Sequence, residues 1–246
     1  MLTSAVVMKR ASLFAVLFSL TLAGFAQSTV LEKVWTTSPS GMGLGLMDAR
    51  VNKLVTDIQK HHYRNDIQKL SAIFRKTHSR FLHQYIKYTG IEELTEGKYD
   101  CLTATSLFAD ILTRTGYNYN IIETNYHIFI VVNTMNGDVV LETTDRFGGF
   151  ISDKTKMNKT IHEYQKNTLQ AASPSEYKYT FSLYQSVDAD QLAGLLYFNQ
   201  AVKAFNQRQW AECSEKLSAA SATTKSPRIA ELSALLYAQS DITTTK

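Results

Sequence analysis

Cysteine and proline are scarce in this chain, and neither sign of charge prevails. Among 246 residues there are two cysteines and three prolines. Two cysteines cannot form the multi-bridge framework of a small disulfide-stabilised domain, so the fold must rest on a hydrophobic core. With so few prolines and only eleven glycines, long stretches are free of helix breakers. Half of the formal charge of +4 resides in Lys9 and Arg10, and the basic residues elsewhere are interleaved with acids. A surface that neutralises phosphates needs clustered Lys and Arg, so a nucleic-acid partner is excluded. Beyond residue 26 no run is apolar enough to cross a bilayer. What is present, 44% hydrophobic and 11% aromatic residues, belongs to a globular protein and excludes a largely disordered one.

The N-terminus has the parts of an export signal. Met8-Lys9-Arg10 precedes an apolar run from Ala11 to Ala23, and small residues at Gly24 and Ala26 suit cleavage near Ala26. Because the basic pair abuts the run at Met8, translation could start there as well as at Met1. Lacking a cysteine after the run, the segment does not read as a lipoprotein signal. The expectation is an exported chain, periplasmic or extracellular, with no membrane attachment once the signal is removed.

Four regions are expected: the signal at 1–26, a helical region at 27–95, a core at 96–187 and a helical segment at 188–246. Residues 31–45, with Ser38-Pro39-Ser40-Gly41 and Gly43-x-Gly45, read as an irregular lead-in. Met47, Val51, Leu54, Val55 and Ile58 predict one helix, Ile67, Leu70, Ile73 and Phe74 a second, and Ser79 to Tyr88 a short third. Leu102, Leu107, Phe108, Ile111 and Leu112 then predict a buried helix ending near Gly116. Three β-like segments follow, 119–124, 127–133 and 138–144, with Asn136-Gly137 as a hairpin turn between the last two. After Leu192 the apolar pattern is helical again. Asn199-x-Ala201-x-x-Ala204-Phe205 and Trp210 resemble one tetratricopeptide-like unit, but a single unit cannot bury both faces, which favours a helical hairpin packed on the main domain.

The chemistry concentrates at Cys101. It opens the buried helix behind Asp100, a good N-cap residue, where free backbone N–H groups and the positive helix end stabilise a thiolate. His127 begins the central β-segment and can serve as its base, and Glu142 in Leu141-Glu142-Thr143-Thr144-Asp145 can orient the imidazole. Asp145 competes for that place, but strand alternation sets it on the face opposite His127. A tight Asn-Gly turn would pair His127 with Arg146, so twist or a bulge must bring Glu142 back toward the histidine. Oxyanion donors would be the Cys101 backbone N–H and one further group, for which Tyr99 is the candidate. His61, His62, His78 and His83 do not share a metal-ligand spacing, and acyl transfer through a thioester needs no cofactor.

In this order and context, "GKYDCLTATSLFADIL", "ETNYHIFIVV" and "LETTDRFGGF" resemble the transglutaminase-like superfamily, a branch of the papain-like cysteine fold, in its bacterial exported form. The resemblance covers residues 97–151. It implies an α+β fold with a papain/transglutaminase-like core, a buried helix packed on antiparallel strands, N-terminal helices before it and the C-terminal helical segment after it. It further implies Cys101 as nucleophile, His127 as general base and then acid, and Glu142 as the orienting group, where the family usually carries Asp. A cysteine amidase, peptidase or acyl transferase acting on a peptide or protein is the activity so implied. Two alternatives stand beside it: a Cys101–Cys213 disulfide, and an inactive domain of the same fold that binds peptides or a protein partner through its C-terminal helices.

Overall fold

The computed structural model describes residues 28–166 and 181–244. The export segment and the cut near Ala26 lie outside the described residues. Architecture is mixed α+β: helices come first, then a five-stranded antiparallel sheet, then helices again.

Helix α1 (Val30–Trp35) replaces the irregular lead-in expected at its position. Thr29 caps it, accepting from Glu32 N while Glu32 reaches back to Thr29 N, and this reciprocal pair starts a helix too short to show periodicity. Helices α2 (Leu44–Gln59) and α3 (Asp66–Phe81) follow the apolar stripes. The helix expected over 79–88 does not form. Residues 79–81 end α3, Leu82 turns extended, and Gln84–Tyr85 (β1) pairs in parallel with Lys98–Tyr99 (β2) across a 3-10 turn. That pairing depends on residues fourteen positions away, which local spacing does not report.

Helix α4 (Cys101–Arg114) carries eleven buried residues in fourteen and lies against the sheet. The sheet runs in the order β6 (Phe150–Ile151), β5 (Val139–Leu141), β4 (Ile128–Asn133), β3 (Asn118–Thr124), β7 (Tyr184–Val187). Both faces are covered. Ile121, Ile128, Ile130, Val132, Val139 and Leu141 join the core shared with α1 to α4, whereas Ile122, Phe129, Val140 and Ile151 meet α5 (Lys154–Gln165) through Met157, Ile161 and Tyr164. This explains the nearly continuous apolar strands. The N-terminal helices have no core of their own, because Leu31, Leu54 and Phe74 belong to the same cluster as Leu107 and Ile130.

The last three helices are α6 (Ala189–Asn206), α7 (Trp210–Thr223) and α8 (Pro227–Thr244). The first half of α6, with Leu192, Leu195 and Leu196, enters the main core. Its second half, with Phe198, Ala201 and Ala204, builds a satellite core with Cys213, Leu217, Ile229 and Leu232. Two buried polar ties dock this segment. Glu123 on β3, fully buried, accepts from Ser226 Oγ at 2.7 Å and pairs with Arg228 at 2.9 Å, and Asn199 Nδ2 donates to Asp100 Oδ2 at 2.9 Å. Among the described residues no helix is long and apolar enough to cross a membrane.

Candidate functional site: a Cys101, His127 and Glu142 cluster

The site is assembled where the N-terminus of α4 meets the turn between β3 and β4. Asp100 caps α4, its Oδ1 accepting from Thr103 N at 2.9 Å and from Thr103 Oγ1 at 3.0 Å, while Thr103 Oγ1 also caps Asp100 N. Cys101 is therefore the first helical residue, half-buried and free, with its backbone N–H among the unsatisfied donors of the helix start. Burial raises the Asp100 carboxyl to about 6, against the hydrogen bonds from Thr103 and Asn199 that lower it.

His127 is fixed by its own turn. Thr124 N and Oγ1 both donate to His127 O, and His127 N lies 3.1 Å from Thr124 Oγ1, so the imidazole leaves the turn with its backbone tied at both ends. Asn125 in the same turn accepts from Leu183 N and donates to Phe181 O, anchoring the hairpin tip to the segment that enters β7.

Glu142 reaches His127 because the β4–β5 loop is longer than a two-residue Asn-Gly turn. Val132 pairs with Val139 and Ile130 with Leu141, so the ladder, continued, sets Glu142 opposite Phe129 rather than four residues away from His127. At Glu142 the chain leaves the ladder: Glu142 N donates to Gly149 O at 2.8 Å and Gly149 N to Asp145 O at 2.9 Å. A Cβ at Gly149 would collide with the Glu142 and Asp145 carbonyl oxygens, so only glycine allows this fold-back. Asp145 is occupied elsewhere, its Oδ1 accepting from Phe147 N and Gly148 N in a side-chain turn.

His127 Nε2 and Glu142 Oε2 are 2.5 Å apart, a charge-assisted distance. Cys101 lines the same cleft as His127 and adds to the rise in the imidazole's proton affinity. Burial lowers the histidine's proton affinity, but the hydrogen bonds and charges of Cys101 and Glu142 outweigh it and raise the value to about 10. The structure thus brings the three residues together in the order sulfur, imidazole, carboxylate.

Tyr164, on α5, was not legible as part of this cluster. Its ring stacks on His127 at 5.8 Å between centroids and on Phe129 at 4.6 Å. Burial first, then the adjacent Glu142 carboxylate, raise its phenol above the ordinary value. Glu142 Oε1 is buried without a hydrogen-bond partner. The four- and three-residue spacing of Met157, Ile161 and Tyr164 could have announced the helix, though not the face it covers. Tyr99 is buried edge-on against Tyr85 and its side chain does not line the cleft described next.

Cys101 and His127 open onto a cleft of about 430 Å³, whose far wall is made by α6 and α8. Cys213, in contrast, is fully buried among the satellite-core helices, and burial pushes its thiol up. Both cysteines are free. His78 stands apart in the main core between Phe74 and Phe108, with neither ring nitrogen hydrogen-bonded, and burial drives its pKa down to about 4. Among the described residues no group of three or more His, Cys, Asp or Glu side chains is arranged to hold a metal ion.

Comparison with known proteins finds no family model, curated protein or solved structure that matches the chain.

Proposed function

We propose that the protein is an exported thiol-dependent amidase or acyl transferase of the transglutaminase-like type, with Cys101 as nucleophile, His127 as general base and acid, and Glu142 as the group that positions the imidazole. One observation carries this reading: His127, 2.5 Å from the Glu142 carboxylate, lines one open cleft together with Cys101, which heads a helix. Export rests on the basic pair and apolar run that precede Ala26.

The chemistry follows from the charges. His127 takes the proton of the Cys101 thiol as the sulfur attacks an amide carbonyl carbon. As the C–S bond forms, the carbonyl oxygen takes the negative charge, and the Cys101 backbone N–H at the helix start can donate to it. His127 gives its proton to the leaving nitrogen as the C–N bond breaks, which yields a thioester and a free amine. Water or a second amine, deprotonated by His127, then releases the acyl group, as acid or as new amide.

Mass-mapped alkylation of the purified protein tests the proposal. Iodoacetamide at neutral pH should label Cys101 at least ~100-fold faster than the buried Cys213, and His127→Ala should remove most of that difference. Equal, slow labelling of both cysteines would sink the catalytic reading and leave a binding domain, the second reading open to the same cleft.

A further inference from the structure

The cleft's far wall carries information about what enters it. Phe198, Val202 and Phe205 fall on one face of α6 at helical spacing, and Leu232 and Leu235 do so on α8. Val202, Phe205 and Leu235 are only partly buried, so they offer apolar surface to the cleft while backing onto the satellite core. Of the charged groups along the same cleft, Arg228 and Asp100 are committed to the fold, and Lys87 and Glu231 line it as well. Arg228 is held by Glu123 through Nε and Nη2, each at 2.9 Å, and Asp100 is held by Thr103 and Asn199. Across from the helices, Tyr88 lines the rim in a left-handed conformation, φ 58°, which a non-glycine side chain rarely adopts. A volume of about 430 Å³ accommodates a large side chain together with the peptide backbone that carries it.

We infer that this cleft is a subsite for a large apolar side chain, aromatic or branched aliphatic, of a peptide acyl donor, and that the C-terminal helices α6 and α8 are its specificity wall. The inference rests on the thiol acyl-transfer reading for the identity of the occupant as an acyl donor. The hairpin then selects the substrate while the sheet and α4 supply the chemistry, and the Asp100–Asn199 and Glu123–Arg228 ties keep wall and nucleophile in register.

Binding, separated from reactivity, tests it. The chain carrying Cys101→Ala is titrated by calorimetry with capped hexapeptides of Gly and Ser that differ in one central residue: Phe, Leu, Gly or Asp. The Phe and Leu peptides should bind at least ~10-fold more tightly than the Gly and Asp peptides, as burying one large apolar side chain implies. Val202→Trp should abolish that preference by filling the wall, and Leu235→Ala should reduce it several-fold with less risk to the fold, thermal melting confirming that both variants are native. Indifference to the central residue, preference for Asp, or no binding at millimolar peptide overturns the inference. If Cys101 proves inert to iodoacetamide while the apolar peptides still bind, the catalytic reading fails and the apolar subsite stands. If Cys101 is reactive and the peptides are not discriminated, the subsite alone falls.

Discussion

Cys101 and Cys213 occupy environments that differ in everything that governs a thiol. Cys101 heads a helix, faces His127 and opens onto a cleft; Cys213 is 0% exposed, packed among Ala201, Leu217 and Ala220 with no charge to use. The corner of the sheet around Cys101 is built from polar groups in a fixed sequence of hydrogen bonds, whereas the C-terminal hairpin around Cys213 is built from apolar residues, alanines interleaved with Phe198, Leu217, Ile229 and Leu232, in close contact. Gly194 shows how close, since a Cβ there would meet the side chains of Thr223 and Thr224. The lesson is a division of labour: apolar packing holds the hairpin together, two buried polar ties dock it, and hydrogen-bonded polarity arranges the corner around Cys101.

Breaking the joint between the two regions should have the largest effect. Glu123→Gln leaves Arg228 buried without its counter-charge, so the protein should lose about 3–5 kcal/mol, read as a lower urea midpoint, with the hairpin rather than the sheet losing protection in hydrogen exchange. An unchanged midpoint would show that the hairpin docks by apolar contact alone.

Next comes the pH dependence of the corner around Cys101. Asp100 has a folded pKa of about 6 against an ordinary 3.8, so between these values the folded state holds the proton that the unfolded state releases. Stability from this group is present below about pH 4 and is lost as pH rises through 6, a change of roughly 3 kcal/mol at 1.36 kcal/mol per pH unit. Asp100→Asn should flatten that stretch of the stability profile. His127 runs later along the same axis, because its value is raised to about 10: its contribution is full below pH 6.5 and disappears as pH climbs toward 10. Should Asp100→Asn and wild type show parallel profiles from pH 4 to 6, the buried carboxyl is not the titrating group.

A smaller effect isolates Tyr164. Tyr164→Phe keeps the stack on His127 and removes the phenol from Glu142, whereas Tyr164→Ala removes both. We expect alkylation of Cys101 to slow about 10-fold in the alanine variant, with partial recovery in the phenylalanine variant and a shifted pH–rate profile in each. Identical profiles in all three proteins would make Tyr164 mere packing. The smallest effect belongs to Lys33→Ala, which removes the exposed ion pair of α1 with Asp190 on α6 and should cost less than about 1 kcal/mol in denaturant titration.

Residue by residue, the corner was more legible than its surroundings. Asp100 before an apolar stripe announced both the helix start and the position of Cys101, because capping and periodicity are local properties. The choice of Glu142 over Asp145 followed from strand parity, although the pairing of β4 with β5 differs by two residues from that of a tight Asn-Gly turn. Helix α1 escaped notice because six residues hold less than two turns of pattern, and Ser79 to Tyr88 read as helix because the partner of β1 lies beyond a 3-10 turn. Tyr164 gave no sign, since nothing in its neighbours states which face of which strand α5 will cover.

By itself, then, the sequence determined helices α2, α3 and α4, the C-terminal helices, the β-segments and the place of Cys101 at a helix start, all of which follow from short-range periodicity and capping. Only tertiary structure decided that a loop folded back at Gly149 would carry Glu142 to His127, that Tyr164 would stack on that histidine, and that α6 and α8 would face Cys101 across a cleft. Those outcomes depend on closing loops between residues far apart in the chain, and the contacts that reward such closure exist only once the whole core is packed.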